Sequence, residues 1–421
     1  MADALAILYI ASQLPKRSET FVYREVLALR AAGKRVLVAS VHPPERGLGE
    51  PQLDALADEA IPIYGAGVFR MLVDAVIEKW THLPRTIGIF WQAHFDAWGN
   101  DDVKGIGILK IFWQAIAAMA LARRVRKLGV THIHAHMAHV PTTIAMYAAR
   151  QLGISFSFTG HAADIFRDRA LLKPKLERAK FVSCISEWHR EFYRAIVPRP
   201  DEDYPVIRCG VDTKEFSARA DEAVCATDRG ADRRSALILG VGRLVPKKGF
   251  DLLLDALAKL RDSGLKFRAI IGGDGPEFEK LKSLRVEKKL TEMVEMPGAL
   301  ANRDVRKLLG ETSIFVLPCR VDSSGDKDGI PVVLMEAMAC GVPCVSGDLP
   351  AIRELIADGK SGRMVPPGDV AALTSALEQL LRNDNLRADL GGIGRRRVEE
   401  EFSTEVNTAR LIKCFDRSTK S

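Results

Sequence analysis

Short runs of β-forming residues alternate with longer helix-forming runs along most of the chain, and this alternation restarts near residue 235. A strand, a helix and a second strand in this order predict parallel pairing, because the helix returns the chain to the starting end of the sheet. Helical runs such as "SETFVYREVLALRAAG" end on a glycine, here Gly33, which is typical of helix C-termini. The pattern predicts an α/β fold with two doubly wound, Rossmann-like domains.

The strand-like runs are short, apolar and rich in β-forming residues. In the first half they are "AILYIAS", "RVLVASV", "THIHAH", "SFSFTGH", "FVSCIS" and "PVIRCG", and in the second half "ALILGVG", "FRAIIGG", "SIFVLP" and "PCVSG". The chain of 421 residues suits two domains. We expect an N-terminal domain over residues 1–208 and a C-terminal domain over residues 209–402, with the linker in the loop-rich stretch from Arg208 to Arg234. Ligands of such sheets bind at the carboxyl ends of the strands, so we expect the site in the cleft between the domains.

Composition narrows the function classes. The seven cysteines are odd in number and scattered, which favours a reducing compartment, and Cys340 and Cys344 have no second pair to complete a zinc site. No apolar run approaches the roughly 20 residues of a membrane span. No basic segment precedes the apolar start of the chain, so we expect no secretory signal and a cytoplasmic protein.

The net charge of +7 suits an anionic partner, which on charge alone is a nucleic acid, a nucleoside diphosphate or an anionic membrane. Basic residues alternate with acids along most helices, and no nucleic-acid-binding module is recognisable. We therefore expect no nucleic-acid partner.

Two glycine-containing turns in the second half are candidates for phosphate binding. In "LGVGRLVPKKGF" a strand leads to Gly242 and Arg243, and Lys248 precedes the next helix. Glycine lets the backbone approach a phosphate and the cations supply charge, although a solvated basic loop explains this motif equally well. In "IIGGDGPE" a tight turn explains Asp274, whereas Gly273 could also bring backbone toward a diphosphate.

The stretch "DGIPVVLMEAMACGVP", residues 328–343, places two acids around a helix start. The amides of Gly329 and Ile330, at a helix N-terminus, could face a pyrophosphate. The carboxylate of Glu336 could accept hydrogen bonds from both hydroxyls of a ribose, and Asp328 could reach sugar hydroxyls. A dipole residue at 328 and a surface acid at 336 would explain either acid alone, but not both with this spacing.

In this order, "VGRLVPKKGFDLLLDAL", "IIGGDGPE", "SIFVLPC" and "DGIPVVLMEAMACGVPCVSG" resemble the donor domain of family 4 glycosyltransferases, which are retaining enzymes with the two-domain GT-B fold. "SETFVYREVLALRAAGKRV", "SFSFTGHAADIF" and "VSCISEWHREFY" resemble the subgroup of exopolysaccharide, colanic-acid-type biosynthesis. The resemblance implies that Arg243 and Lys248 stabilise the diphosphate of the leaving group, that Glu336 holds the ribose and that Asp328 touches the donor sugar. The family's usual residue at position 328 is Glu, so Asp328 is one methylene shorter.

The resemblance also implies the reaction. A hexosyltransferase would move a sugar from a nucleotide-diphosphate sugar to a hydroxyl of a glycan or a polyprenyl-diphosphate-linked saccharide, with retention and without a protein nucleophile. It implies no protein-bound cofactor or metal, and a last helix, about residues 403–421, that packs back on the first domain. A sugar-nucleotide epimerase of the same fold and a non-catalytic nucleotide-sugar-binding subunit remain as alternatives.

Histidines cluster in "THIHAHMAH", which contains His132, His134, His136 and His139. Alternate residues of a strand share a face, so three imidazoles could bind zinc, but no flanking carboxylate is apparent and structural histidines are the better interpretation. His161 follows a strand at the end where ligands of α/β sheets bind. The resemblance places this histidine beside the reacting sugar, and a capping histidine is the alternative.

Bulky aromatic residues are concentrated in residues 68–129, where four of the five tryptophans precede the basic run "ARRVRK". Aromatic and basic side chains together are typical of a surface that rests on anionic lipid. Packing on the first sheet is the alternative, and some of these residues must pack there. We expect peripheral contact with the cytoplasmic face of the inner membrane.

Overall fold

The computed structural model describes residues 6–161, 169–216 and 236–418. The chain divides into unit 1, Met1–Arg208 with Asn407–Ser421, and unit 2, Cys209–Val406. Residues 217–234 of the expected linker lie outside the described residues.

Unit 1 contains a six-stranded sheet in which the strands are ordered β3-β2-β1-β4-β5-β6 and every described pairing is parallel. Its strands are β1 Ala6–Ala11, β2 Arg35–Ser40, β3 Ile61–Pro62, β4 Val130–His136, β5 Ser155–Gly160 and β6 Val182–Cys184. Its helices are α1 Thr20–Ala31, α2 Pro51–Glu59, α3 Val68–Thr81, α4 Leu83–Trp98, α5 Ile106–Val125, α6 Val140–Leu152, α7 Leu172–Arg178 and α8 Glu187–Ile196.

Unit 2 repeats this architecture, with strand order β12-β11-β10-β7-β8-β9 and parallel pairing throughout the described ladders. Its strands are β7 Ala236–Val241, β8 Phe267–Gly272, β9 Val294–Gly298, β10 Ile314–Leu317, β11 Cys344–Gly347 and β12 Arg363–Val365. Its helices are α9 Phe250–Asp262, α10 Phe278–Glu287, α11 Asn302–Glu311, α12 Val332–Ala339, α13 Pro350–Arg353, α14 Val370–Arg382 and α15 Asp384–Arg397. The last helix, α16 Thr404–Ser418, enters unit 1 at Asn407.

The predicted α/β fold with two doubly wound sheets is confirmed, and the strand assignments differ at the sheet edges. The run "PVIRCG" is not a strand, because only Val206 forms an isolated bridge, to Cys184. The strands β3, β9 and β12 were not predicted from the sequence. All three are edge strands, and Pro62 and Pro297 interrupt the apolar pattern of two of them, as an edge position permits.

Helix α5 is long and apolar enough to cross a membrane by length and composition, so the expectation that no segment approaches such a span is wrong. Gly107 and Lys110 interrupt the apolar run in the sequence without ending the helix. Half of the apolar window is buried, and its second half packs into the core of unit 1. A core helix of a globular unit has these properties as well.

Helix α16 covers part of the first sheet. Leu411, Cys414 and Phe415 are buried in one core cluster with Tyr9 of β1. The Phe415 ring meets the Tyr9 ring edge-on at 6.3 Å between centroids. The end of the chain is therefore part of the hydrophobic core of unit 1.

A layer of buried histidines lies between β4 and β5. His132 contacts the hydroxyls of Ser155 and Ser157, each at 2.7 Å, and stacks on the Phe181 ring. Burial, with a smaller contribution from the charge of Lys180, lowers the pKa of His132 from 6.5 to about 3. The ring is therefore neutral in the folded chain at neutral pH.

The neutral state of His132 makes the stability of unit 1 depend on pH. Between its unfolded pKa of 6.5 and its folded pKa of about 3, the unfolded chain binds a proton that the folded chain does not, so stability is full above the upper value and falls as the pH is lowered. We expect His132→Gln to reduce the slope of unfolding free energy against pH by about 1 kcal/mol per pH unit between about pH 6 and pH 4.

Urea unfolding followed by tryptophan fluorescence measures this slope, because all five tryptophans lie in unit 1. His42→Gln, at an exposed position of the same unit, should leave the slope unchanged. An equal slope in the wild type and His132→Gln would contradict the assignment.

Candidate functional site

The strand order of unit 2 reverses between β7 and β10. From β7 the chain continues to β8 on one side, whereas from β10 it continues to β11 on the other. The loops that follow β7 and β10 therefore start side by side at the carboxyl edge of the sheet, where open α/β sheets bind their ligands. We call residues 242–249 the β7 loop and residues 318–331 the β10 loop.

The side chain and backbone of Arg320 join the two loops. The amide of Arg320 donates to the carbonyl of Lys247 at 2.9 Å. Its guanidinium donates to the Pro246 carbonyl and to the Asp251 carboxylate, both at 2.9 Å. Lys247 in turn donates to Asp326 at 3.0 Å. Hydrogen bonds donated by residues of each loop therefore hold the β7 and β10 loops together.

Lys248 and Asp328 form an ion pair within this arrangement, with 2.9 Å between Nζ and Oδ2. Nζ of Lys247 lies 3.5 Å from the other carboxylate oxygen, and the Cys319 thiol donates to the carboxylate at 3.3 Å. Burial raises the pKa of Asp328, but the positive charges of Lys248 and Lys247 lower it by a larger amount. The net pKa of Asp328 is therefore below the usual 3.8. Burial lowers the pKa of Lys248, but Asp328 more than offsets this and the net pKa is raised. Both groups are therefore charged at neutral pH.

Gly242 and Gly273 allow the backbone segments that follow β7 and β8 to pack closely against each other. The amide of Gly242 donates to the Gly272 carbonyl at 3.0 Å, and that of Gly273 to the Gly298 carbonyl at 2.8 Å, so both amides are occupied by backbone partners. A Cβ at Gly273 would lie 1.9 Å from the Gly242 carbonyl oxygen, and Gly273 has φ of +148°. These glycines bring the turns after β7 and β8 together, and the exposed Arg243 follows directly.

Helix α12 begins at Val332, and the buried Pro331 precedes it as N-cap. Among the described residues, the amides of Gly329 and Ile330 donate to no protein acceptor. Glu336 is half-buried, one turn into the helix, on the same partly exposed face as Val332. The N-terminus of α12 therefore presents the unpaired amides of Gly329 and Ile330, and the partly exposed face of the helix carries the Glu336 carboxylate.

Unit 1 holds a second polar cluster, at the carboxyl ends of β4 and β5. His161, buried directly after β5, lies with Nε2 3.3 Å from Nδ1 of His136. Nε2 of His136 lies 2.9 Å from a carboxylate oxygen of Glu25 on α1, and Tyr9 donates to the same oxygen at 2.8 Å. The expectation that no carboxylate flanks the histidines is therefore wrong, because α1 brings Glu25 from more than 100 residues away.

Glu25, His134 and His136 present ligand atoms within 4.8 Å of one another, which is close enough for a metal ion. The two nitrogens of His134 already contact the Ser157 and Thr159 hydroxyls, at 2.7 and 3.0 Å. His139 is not part of this group, since its ring accepts from the Val140 amide and caps α6. Hydrogen bonds explain these rings fully, which favours the structural interpretation over zinc.

Several residues of the two clusters were not predicted from the sequence: Tyr9, Glu25, Lys247, Cys319, Arg320 and Asp326. The adjacent pairs in "PKKG" and "DKDG" were a usable signal for Lys247 and Asp326. Tyr9, Glu25 and Arg320 carried no such signal, because their partners are distant in the sequence.

Comparisons with known proteins agree with this architecture. Residues 227–397 match the family model "Glycosyl transferases group 1", and residues 103–215 match "Glycosyltransferase Family 4". Over 218 residues the chain is 37% identical to WcaL of Escherichia coli (strain K12), described as a colanic acid biosynthesis glycosyltransferase, covering 51% of this chain and 52% of WcaL. It is 32% identical over 218 residues to the amylovoran biosynthesis glycosyltransferase AmsK of Erwinia amylovora, covering 52% of each chain. The match thus spans about half the length of these curated relatives.

Two solved structures share the fold at low sequence identity. Sucrose-phosphate synthase from Thermosynechococcus elongatus superposes with a TM-score of 0.72 at 18% identity, covering 98% of both chains. HepE of Anabaena, solved in complex with UDP, gives 0.69 at 15% identity, covering 98% of this chain and 100% of that chain. Both units together therefore have the GT-B fold.

The Lys248–Asp328 pair contributes to stability as well as to the site. We expect Asp328→Asn to lower the unfolding free energy of unit 2 by about 3 kcal/mol, because it leaves a largely buried ammonium without its counter-ion. Asp326→Asn is the matched control. It removes the more exposed partner of Lys247 and should cost about 1 kcal/mol or less.

Hydrogen exchange of β7 and β10 amides at neutral pH measures both losses within unit 2. Equal, small losses of unfolding free energy in the two variants would show that the buried ammonium of Lys248 does not need Asp328 as its counter-ion. In the wild type the contribution of Asp328 is present above its unfolded pKa, near 3.8, and is lost as the pH falls through its lower folded value.

Proposed function

We propose that this chain, which joins a Glycosyltransferase Family 4 segment to a glycosyl transferases group 1 segment in a GT-B fold, is a retaining hexosyltransferase. Its donor is a nucleotide-diphosphate sugar, and its acceptor is a hydroxyl of a glycan or of a polyprenyl-diphosphate-linked saccharide. The relatives named above suggest surface or exopolysaccharide synthesis. The observation that carries the proposal is the convergence of Lys248, Asp328 and the tip of α12 at the carboxyl edge of the second sheet.

The diphosphate would lie between Arg243, Lys248 and the N-terminus of α12. An ammonium has three N–H donors, so Lys248 can keep its bond to Asp328 and still donate to a phosphate oxygen. The amides of Gly329 and Ile330 add donors where the helix dipole favours an anion. These groups stabilise the negative charge that grows on the leaving diphosphate as the glycosidic bond breaks.

The two acids would then bind the sugars of the donor. Glu336, on the exposed face of α12, accepts hydrogen bonds from the ribose hydroxyls. A carboxylate has about four acceptor positions, and Lys248, Lys247 and Cys319 approach three of those of Asp328. One position remains for a hydroxyl of the transferred sugar, so the shorter Asp can serve where the family's usual residue is Glu.

Unit 1 would supply the acceptor side, with His161 beside the reacting sugar. Burial, followed by the charges of His136, His189 and His139, lowers the pKa of His161 well below its usual value. A neutral imidazole positions hydroxyls and is neither a nucleophile nor a permanent cation here. The leaving phosphate takes the proton of the acceptor hydroxyl, so the reaction needs no protein nucleophile.

An apolar face on α3, α4 and α5 supports contact with a membrane. Fourteen of the seventeen exposed large apolar side chains of the described residues lie on these three helices, whereas single exposed apolar side chains are usually scattered over a surface. The apolar face comprises Val68, Phe69, Leu72, Val73, Val76, Ile77, Trp80, Leu83, Ile87, Trp91, Phe95, Trp98, Ile106 and Leu109. Phe69 is 82% exposed, and Trp98 is 67% exposed.

The charges around the apolar face differ from the sequence-based interpretation. Two arginines of the run "ARRVRK" pair inward, Arg124 with Asp74 at 2.7 Å and Arg126 with the buried Glu78. The exposed cations on and between α3, α4 and α5 are Arg70, Lys79, Arg85, Lys104 and Lys110, and Lys127 of the run is exposed as well. We propose that the apolar face and these cations rest on the anionic cytoplasmic leaflet, where a lipid-linked acceptor is presented.

Glu336→Ala tests the donor site. We expect it to lower turnover of a nucleotide sugar about 100-fold or more, because hydrogen bonds to a charged group are each worth about 1.5–3 kcal/mol. The assay follows nucleoside diphosphate release and identifies the sugar products over a panel of nucleotide sugars, with circular dichroism to check folding. Glu378→Ala, on α14 in an i,i+4 pair with Arg382, is the control and should keep full turnover.

Each outcome of this assay decides between activities. Normal turnover in Glu336→Ala rejects the donor site. A converted donor without an acceptor product identifies an epimerase, and donor binding without diphosphate release identifies a non-catalytic subunit.

Trp91→Glu with Phe95→Glu tests the membrane contact. We expect co-sedimentation with vesicles of phosphatidylcholine and phosphatidylglycerol to weaken at least about 10-fold, because each aromatic side chain withdrawn from lipid loses about 1.5 kcal/mol or more. Val286→Glu, at a 58% exposed position of unit 2, is the matched control and should bind as the wild type does. Unchanged binding of the double variant, or a dimer that becomes monomeric in it, would assign the apolar face to another partner.

A further inference from the structure

One side chain, that of Arg320, binds unit 2 at two points on either side of Lys248. Its guanidinium donates from Nε to the Pro246 carbonyl and from Nη2 to the Asp251 carboxylate, both at 2.9 Å. The backbone amide of Arg320 donates to the Lys247 carbonyl, also at 2.9 Å. Lys248 therefore lies in a short segment whose two ends are bound to the same guanidinium.

The segment between these two bonds has a tightly folded backbone. Pro246–Lys248 is a single 3-10 turn, and the Gly249 amide donates to the Pro246 carbonyl at 3.2 Å. Gly249 has φ of +69°, and a Cβ there would lie 2.2 Å from the Pro318 carbonyl oxygen at the start of the β10 loop. The turn therefore packs directly against the β10 loop, and this close approach requires glycine.

Both lysines of the turn reach carboxylates of the β10 loop. Lys247 donates to Asp326 at 3.0 Å, and Lys248 pairs with Asp328 at 2.9 Å. Asp326 is itself held in place by Asp322, whose carboxylate accepts from the Asp326 amide at 3.0 Å. The position of the Lys248 ammonium therefore depends on how the turn packs on the β10 loop.

The charge of Arg320 is balanced where it lies. Arg320 pairs with Asp251 at 2.9 Å, and the two side chains are about equally exposed, at 23% and 22%. A planar guanidinium presents its donors in a rigid fork, so it can hold a carbonyl and a carboxylate at a constant separation. We therefore expect the geometry of Arg320, and not its charge, to affect Lys248.

We infer that Arg320 is a positioning residue for the diphosphate site, because it fixes the turn Pro246–Lys248 on the β10 loop and so places the Lys248 ammonium for a phosphate oxygen of the donor. The identity of this ligand rests on the proposed function, whereas the fixing of the turn does not. Arg320 acts through Lys248 and does not contact the diphosphate itself. A binding group that is already held in place loses less freedom when the ligand binds, which raises affinity.

Hydrogen exchange without any ligand tests whether Arg320 fixes the turn. Arg320→Met removes both guanidinium bonds and keeps an extended side chain. We expect it to raise the exchange rate of peptides that cover the β7 loop at least about 5-fold, because hydrogen bonds that oppose local opening are lost. Arg268→Met, on β8 in an exposed pair with Glu295, is the matched control and should leave this rate unchanged. An unchanged rate in Arg320→Met overturns the inference.

A double-mutant cycle on nucleotide affinity tests whether Arg320 acts through Lys248. Isothermal titration calorimetry with UDP, GDP, ADP and dTDP gives the Kd of the wild type, Arg320→Met, Lys248→Met and the double variant. We expect Arg320→Met to weaken binding about 10-fold, and the double variant to bind within about 2-fold of Lys248→Met, since an absent ammonium cannot be mispositioned. Effects that multiply would show that Arg320 binds the diphosphate itself, and an unchanged Kd in Arg320→Met would show no role in binding. Either result overturns the inference.

Arg320→Lys separates geometry from charge, because it keeps the positive charge and removes the rigid fork. We expect its Kd to stay at least about 3-fold weaker than that of the wild type, and Arg268→Met to keep the wild-type Kd. A wild-type Kd in Arg320→Lys would assign the effect to charge and overturn the positioning role. Arg320→Lys also replaces Arg320→Met in the cycle if circular dichroism shows that Arg320→Met does not fold.

The two experiments distinguish this inference from the proposed function. A wild type that binds none of the four nucleoside diphosphates, together with faster exchange of the β7 loop in Arg320→Met, rejects the proposed diphosphate site and leaves the fixing of the turn in place. Tight binding to the wild type with additive effects in the cycle keeps the proposed function and rejects the action of Arg320 through Lys248.

Discussion

Parallel strand pairing with a reversal of strand order is the constraint on which both polar clusters depend. In unit 2 the reversal lies between β7 and β10, and in unit 1 between β1 and β4. At each reversal two loops leave the same edge of the sheet in opposite directions, so their first residues meet and no helix covers them. Lys248 and Asp328, separated by 80 positions (328 − 248), meet at 2.9 Å for this reason. Tyr9 and His136 converge on Glu25 at the corresponding edge of unit 1.

The two clusters solve the problem of polar groups near an apolar core in different ways. In unit 2 the charges cancel locally, since Lys247 and Lys248 face Asp326 and Asp328, and the cost of burying either sign is offset by its neighbour. The cluster keeps unused donors, which suits an anionic ligand. In unit 1 burial lowers the pKa of His132, His134 and His161, and hydroxyls and one carboxylate provide hydrogen-bond partners for the histidine layer. Neutral rings can hold an exact orientation without a counter-ion, which suits the recognition of hydroxyl groups.

On α3, α4 and α5 the acidic side chains point toward the interior of unit 1, whereas several basic side chains are exposed. The acids of α3 and α4 pair inward with arginines, as Asp96 does with Arg178 at 2.7 Å, because a planar guanidinium can bind a carboxylate through two parallel bonds. The exposed cations on these helices are left beside aromatic side chains. The acids of these helices are therefore inside, whereas apolar and cationic side chains remain exposed.

The sequence by itself determined the fold class, because hydrophobic periodicity is a local property that reports parallel α/β units directly. It also predicted a ligand-binding role for Arg243, Lys248, Asp328 and Glu336, and the structure brings Lys248 and Asp328 together. It did not determine the edge strands β3, β9 and β12, which are too short for a period to appear. Only the tertiary structure decided which charges are paired. Glu25, Arg320 and the inward arginines of "ARRVRK" have partners 48 to 111 residues away. A contact over such a separation depends on the order of strands in the sheet, which no local pattern encodes.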